Sequence, residues 1–306
     1  MIGIGVNLAA GLEDSGSANL VEEIVGRARA VAAAGLRSVW LPQGYGYDAL
    51  TLYAAVAREV PDVELGASVV VVQPRHPRVL AAQALTVQAA SGGRLTLGLG
   101  VSHPGLLEVY GLPFARPVSA LSEHLDVLAP LLRGERVPGA SGPGSDPADT
   151  AVPGSEPEVP VLLGALGPRM LRLAGERTAG TITFLTGPRT VSGHVRPLLD
   201  AAAAGRPSPR VVVGVPVSAT AEPDRVRAAA ARDYAGYARL PSYAGVLERE
   251  GLSSPGGLVV AGDEDVIAAG IARYADAGAT DLLVSPLGDA AERARTVAVL
   301  GRLATS

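Results

Sequence analysis

Four histidines, His76, His103, His124 and His194, bound the chemistry this chain can attempt. They form no HExxH pair and no close grouping with aspartate, so a metal centre is not expected. Cysteine is absent, which removes thiolate nucleophiles, thiolate ligands and disulfides. Lysine is absent too, so all 26 basic residues are arginine and Schiff-base and P-loop lysine chemistry are excluded. There is no GxSxG elbow for a serine hydrolase and no pair of carboxylates at strand ends for glycoside hydrolysis.

The histidines differ in setting. His124 lies in a Ser-Glu-His-Leu-Asp helical run and reads as solvated surface, and His194 lies in a helix among polar neighbours. His76 precedes Pro77 at a helix start, where capping is the ordinary role. His103 stands just beyond the carboxyl end of a strand, where barrel enzymes keep their chemistry. Imidazole also gives and takes a proton near neutrality. The competing reading is that His103 caps, or packs beside Pro104 and Tyr110. Gly98 and Gly100 close the same strand. The third glycine of a dinucleotide fingerprint is missing and no helix is expected to start there, so the pair reads as a tight turn.

These residues need elements to hold them. Short apolar or β-branched runs recur at 2–8, 38–41, 63–72, 95–99, 161–163, 181–184, 211–217 and 281–284, each followed by a helical pattern. The helical pattern over 224–249 is expected to break at Pro241. Eight such units predict a parallel sheet closed into a (β/α)8 TIM barrel, with an open doubly wound sheet as the alternative. The 306 residues fit one barrel domain spanning 1–306. The segment 134–160 is rich in Gly and Pro and without period; it is expected as an insertion after the fourth unit, a mobile linker rather than a lid.

Composition narrows the class. The chain is 48% hydrophobic and 18% charged, enough for one large core. A net charge of -4 gives no footprint for nucleic acid. No run reaches ~18 apolar residues and no basic-then-apolar leader opens the chain, so a cytoplasmic protein away from membranes is expected. The expected mouth is neutral: Asn7, Gln43, Tyr45, Tyr47, Ser68, Ser102, His103, Thr183 and Phe184. Such a pocket suits an aromatic cofactor that brings its own reactivity.

Three runs carry a family resemblance: HPRVLAAQALTVQAASGGR at 76–94 leading into LTLGLG, PVLLGALGPRMLRLAGE at 160–176 followed by GTITF, and ADAGATDLLVSP at 275–286. They resemble the luciferase-like superfamily, in its coenzyme F420-dependent branch. The resemblance implies an F420-dependent oxidoreductase, and a homodimer. It implies that Ser68-Val69 bulges behind the cofactor rings, often with a non-prolyl cis peptide. It implies that Gly164, Ala165, Leu166, Gly167, Pro168 and Arg169 wrap the ribityl phosphate at a helix N-terminus. Gly100, Thr183 and Phe184 complete the implied cofactor set, with Asn7, Tyr45 and Tyr47 on the substrate side. His103 matches the position of a catalytic carboxylate in sugar-phosphate-oxidising relatives, and Gln43 falls near that of a catalytic histidine. Those two departures, with the missing lysines, point away from sugar oxidation and toward hydride transfer to a small organic substrate with a C=C or C=N bond, His103 serving as proton donor or acceptor. A luciferase-like monooxygenase using FMN and a non-catalytic cofactor-binding barrel stand as alternatives.

Overall fold

The computed structural model describes residues 2–142 and 144–305. Strands β1 (Gly3–Asn7), β2 (Ser38–Leu41), β3 (Glu64–Ala67), β4 (Val70–Val71), β5 (Leu95–Gly100), β6 (Val161–Gly164), β7 (Gly180–Phe184), β8 (Arg210–Ala219), β9 (Val260–Gly262) and β10 (Asp281–Pro286) pair in parallel throughout. The order β1-β2-β3-β5-β6-β7-β8 is closed by β10, which pairs with both β8 and β1. The expected (β/α)8 barrel is therefore present. Strand β9 is an addition to the eight stations: it pairs only with the far end of β8, Val217 to Ala219.

The strands alternate faces, and the two faces pack differently. Val39, Leu65, Leu97, Leu163, Val213 and Val284 point outward into the main core under the helices. Trp40, Leu162, Ile182, Val212 and Leu283 point inward and fill the barrel as their own cluster. Trp40 is 2% exposed and needs the room that glycine leaves. A Cβ on Gly66 would lie 2.2 Å from its ring, and one on Gly5 2.5 Å away. The glycines in β1 and β3 are thus counterparts of one large side chain in β2.

Helices begin where the sequence supplies caps. Asn19, Asp48, His76 and Asp263 each accept a backbone N–H at the start of Leu20–Ala33, Ala49–Glu59, Pro77–Ser91 and Glu264–Asp276. Several expectations need correction. A short helix, Pro104–Val109, does begin directly after the fourth barrel strand, with His103 as its cap. The helical stretch after the strand Gly180–Phe184 divides into Pro188–Thr190, a π-turn at Val191–Val195 and Arg196–Ala202. The stretch over 224–249 breaks at Pro241 as expected and also at Tyr234, giving Pro223–Asp233, Ala235–Ala238 and Pro241–Glu250. His124 is only 8% exposed, because helix Pro117–Leu132 turns that face onto helix Pro77–Ser91. Neighbouring acidic residues in the sequence do not report which helix face a residue occupies.

Parts of the 134–160 segment lie along the outside of helix Pro77–Ser91. Arg78 donates to the carbonyl of Gly144 (2.7 Å) and Gln88 to that of Pro157 (2.6 Å). No helix among the described residues is long and apolar enough to cross a membrane.

Candidate active site at the barrel mouth

The carboxyl ends of the strands converge on one mouth, and the break between β3 and β4 sets its shape. The bond Ser68–Val69 is a non-prolyl cis peptide, at the place where a bulge was expected. It divides the expected 63–72 strand in two and presents Val69 to the inside. A Cβ added to Gly100 would lie 2.5 Å from Val69 Cγ2, and one added to Gly164 3.5 Å from Val69 Cγ1. Val69, Gly100 and Gly164 therefore meet in one place, a seat in which the Val69 side chain lies against the two glycines.

Beside that seat Gln73 Nε2 donates to the carbonyl of Val101 (3.0 Å), which leaves its Oε1 buried and without a donor. A buried acceptor left unpaired costs about 1–3 kcal/mol. The next residue along the loop, Ser102, has a φ of 57°, a conformation rare outside glycine. His103 follows. Its Nδ1 accepts from the backbone N–H of Leu106 (3.3 Å), so the neutral ring carries its proton on Nε2. The capping reading of His103 is what the geometry shows, and it leaves Nε2–H free.

The other predicted residues divide. Asn7 donates through Nδ2 to Ser285 Oγ (3.1 Å) while its Oδ1 accepts from Ala9 N–H, tying the ends of β1 and β10 together. Gln43 holds its own loop: Nε2 donates to the carbonyls of Gly44 and Tyr47, and Oε1 accepts from Ala49 N–H and Arg75. Arg75 also pairs with Asp48. Tyr47 is half-buried against the core, and burial raises its phenol pKa. Thr183 is buried beside inward-facing Ile182, so alternation turns it to the helix side; its hydroxyl has no partner there. Phe184 faces the mouth and meets Tyr234 and Tyr237 edge-on at 5.7 and 5.5 Å. Tyr243 adds to this group through Tyr237, and Leu166 and Leu185 pack beside it.

Three further loops approach this aromatic cluster. The Tyr237 phenol pKa is raised by burial and then by Tyr45. That of Tyr234 is pushed up to about 12, by burial first, with Glu13 among the lesser causes. Tyr45 itself is 61% exposed. The loop Ala165–Gly167 ends at Gly167, the cap of helix Pro168–Arg177, whose first turn has no side-chain cap. His194 Nε2 lies 2.9 Å from the Leu166 carbonyl, so His194 is a prop for this loop as well as a helix residue.

Sequence reasoning missed Gln73, Ser285 and the tyrosines of 234–243. The rule that singled out His103, a polar residue just past a strand end, would have found Gln73. The tyrosines belong to a helical insertion whose distance from the mouth no periodicity reveals.

A family model, luciferase-like monooxygenase, matches residues 3–281. The chain belongs to the luciferase-like monooxygenase family. Rv3520c of Mycobacterium tuberculosis, named as a coenzyme F420-dependent oxidoreductase, is 33% identical over 181 residues, 55% of this chain and 52% of that relative. The chain matches about half of that relative's length. Among solved structures, the coenzyme F420-dependent tetrahydromethanopterin reductase of Methanopyrus kandleri superposes with a TM-score of 0.81 at 21% identity, over 98% of this chain and 97% of that one. The FMN-bound type II Baeyer-Villiger monooxygenase of Pseudomonas putida reaches a TM-score of 0.77 at 16% identity, over 99% and 97%. These solved neighbours share this barrel.

Proposed function

We propose that the protein is an F420-dependent oxidoreductase that carries hydride to or from a small organic substrate, most readily across a C=C or C=N bond. The observation that carries this reading is the seat formed by Val69, Gly100 and Gly164 next to the donorless Oε1 of Gln73. A flat heteroaromatic ring would lie on the Val69 face of this seat, and a ring N–H would give Gln73 Oε1 the donor it lacks. Deazaflavin and flavin both have that shape. The named relative Rv3520c and the Methanopyrus structure weigh toward the deazaflavin.

When bound, the deazaflavin supplies a ring carbon that accepts or donates hydride and reacts poorly with oxygen. The chain supplies the rest. Gly164, Ala165, Leu166, Gly167, Pro168 and Arg169 would hold the phosphate, with backbone N–H groups at a helix N-terminus. Gly100 and Phe184 would border the rings, whereas Thr183 would act from behind the strand. Asn7, Tyr45 and Tyr47 would border the substrate, and Gln43 would set the height of the Tyr45–Tyr47 loop. His103 presents Nε2–H as a hydrogen-bond donor that polarises the acceptor atom. Serving as a full acid or base requires releasing the Nδ1 cap on Leu106. A homodimer in the cytoplasm accompanies this reading, and light scattering of the purified protein tests the dimer.

The test is a pair of titrations, F420 and FMN, against the purified chain. F420 is expected to bind well ahead of FMN. Equal or tighter binding of FMN would overturn the cofactor assignment in favour of the monooxygenase reading, which the FMN-bound Pseudomonas neighbour supports.

A further inference from the structure

Helices Pro117–Leu132 and Pro168–Arg177 leave a surface groove of about 390 Å³ between them. Its walls include Ser119, Ser122, Arg169 and Arg172. Neither Arg169 nor Arg172 has a hydrogen-bond or ion-pair partner among the described residues, although most arginines of this chain do. The two stand three residues apart on one helix, so their guanidinium stems emerge from one face, about 4.5 Å apart along the axis. Ser122 Oγ accepts from Arg177 (3.1 Å), which leaves its hydroxyl proton free to donate. Two acidic residues also line the groove. Glu123 is offset by Arg116 at 3.6 Å, and Glu176 lies beyond Arg172, away from the barrel mouth. The end nearer the mouth is therefore the positive end, and it begins at the residue that closes the proposed phosphate loop.

We infer that this groove is a subsite for the anionic tail of the cofactor, with Arg172 as its specificity-determining residue. The inference rests on the deazaflavin reading above. F420 continues past its phosphate into glutamyl residues, each carrying a carboxylate, whereas FMN ends at the phosphate. A tail leaving the Gly164–Gly167 loop meets Arg169 first and Arg172 one turn later. Arginine forks pair carboxylates with two parallel N–H donors, and Ser119 and Ser122 add hydroxyl donors along the opposite wall. The groove gives the chain a means of preferring long-tailed coenzyme, and of preferring F420 over FMN, that the ring seat alone does not provide.

The experiment is a fluorescence titration of the full chain with two coenzyme preparations, one without glutamyl residues and one with a long tail. Wild type, Arg172→Gln and Arg172→Glu are compared at low and high salt. Arg172 is exposed, so the variants should melt as wild type does. Wild type is expected to bind the long-tailed form about tenfold more tightly at low salt, since exposed pairs are individually weak and screened. High salt should erase most of that preference. Arg172→Gln should reduce it, and Arg172→Glu should abolish it, while both bind the tail-less form within about twofold of wild type. Equal binding of the two forms by wild type overturns the subsite and leaves the cofactor reading standing. Equal weakening of both forms by Arg172→Glu also overturns it. Failure of both forms to bind, with FMN binding instead, removes the cofactor reading and the subsite with it.

Discussion

The two ends of the barrel are built on opposite rules. At the amino-terminal end Arg210 grips Asp281 through two bonds, Nη2 to Oδ1 (2.7 Å) and Nε to Oδ2 (3.2 Å). Thr280 Oγ1 also donates to Asp281 (2.6 Å), and Thr96 stands 3.4 Å from Arg210. Arg210 and Asp281 there satisfy each other. At the carboxyl end Gln73 keeps a buried acceptor without a donor, Ser102 and Leu185 hold φ values of 57° and 48°, and Tyr45 stands largely in solvent. Such backbone costs of order 1–3 kcal/mol each. One end is finished by the chain itself, and the other is left to be completed by something it binds. This is the division between stability and chemistry that barrels show in general.

The largest effect should come from the mouth. If His103 acts on the substrate, His103→Ala lowers turnover by about 10²-fold or more and leaves cofactor affinity nearly unchanged. Steady-state kinetics alongside a cofactor titration reads both quantities. His103→Asn sharpens the comparison, because asparagine also caps helices well: it should restore the melting temperature lost in the alanine variant without restoring turnover. A variant that recovers turnover with the cap would make His103 a structural residue only.

The opposite end should respond the opposite way. Arg210→Ala leaves a half-buried carboxylate without its bidentate partner and should lower stability by roughly 2 kcal/mol, read by urea denaturation. Its cofactor affinity should match wild type once the protein is folded. Intermediate between these, Gln73→Leu should weaken cofactor binding by about tenfold, the worth of one hydrogen bond in a closed site, with little change in melting. A large loss of stability in Gln73→Leu, or of affinity in Arg210→Ala, would break the assignment of one role to each end.

Much of this was legible in the residues because the barrel repeats its signal eight times. Runs such as 211–217 and 281–284 are apolar on both faces, as strands covered inside and out must be. The break at Ser68–Val69 was legible through family likeness, which no count of periods would have supplied. What stayed hidden depends on contacts far apart in sequence. His194 meets Leu166, Tyr45 approaches Tyr237, and Trp40 occupies space that Gly5 and Gly66 vacate. His124 was misread for the same reason: its neighbours in sequence are charged, but its neighbours in space are two packed helices.

His124 also tests how far the comparison extends, since it is a buried group with an unpartnered Nε2 that lies in the wall rather than at the mouth. If unpartnered groups mark function only at the mouth, His124 should matter to stability alone. Burial, and then the charge of His76, lower its pKa from the ordinary 6.5 to about 4. The fold therefore prefers the neutral ring. Between pH 6.5 and about 4 the unfolded chain binds a proton that the folded chain refuses, so stability rises with pH across this window and falls as the solution is acidified through it. From pH 7 to pH 5 wild type should lose roughly 1 kcal/mol more than His124→Leu, after allowance for partial solvent screening. Urea denaturation of both proteins at the two pH values gives that difference, and carboxylates common to both cancel from it. Cofactor affinity at pH 7 should be the same in the two proteins. Parallel stability losses would mean that the ring is solvated, and a drop in affinity would carry the influence of the mouth into the helical wall.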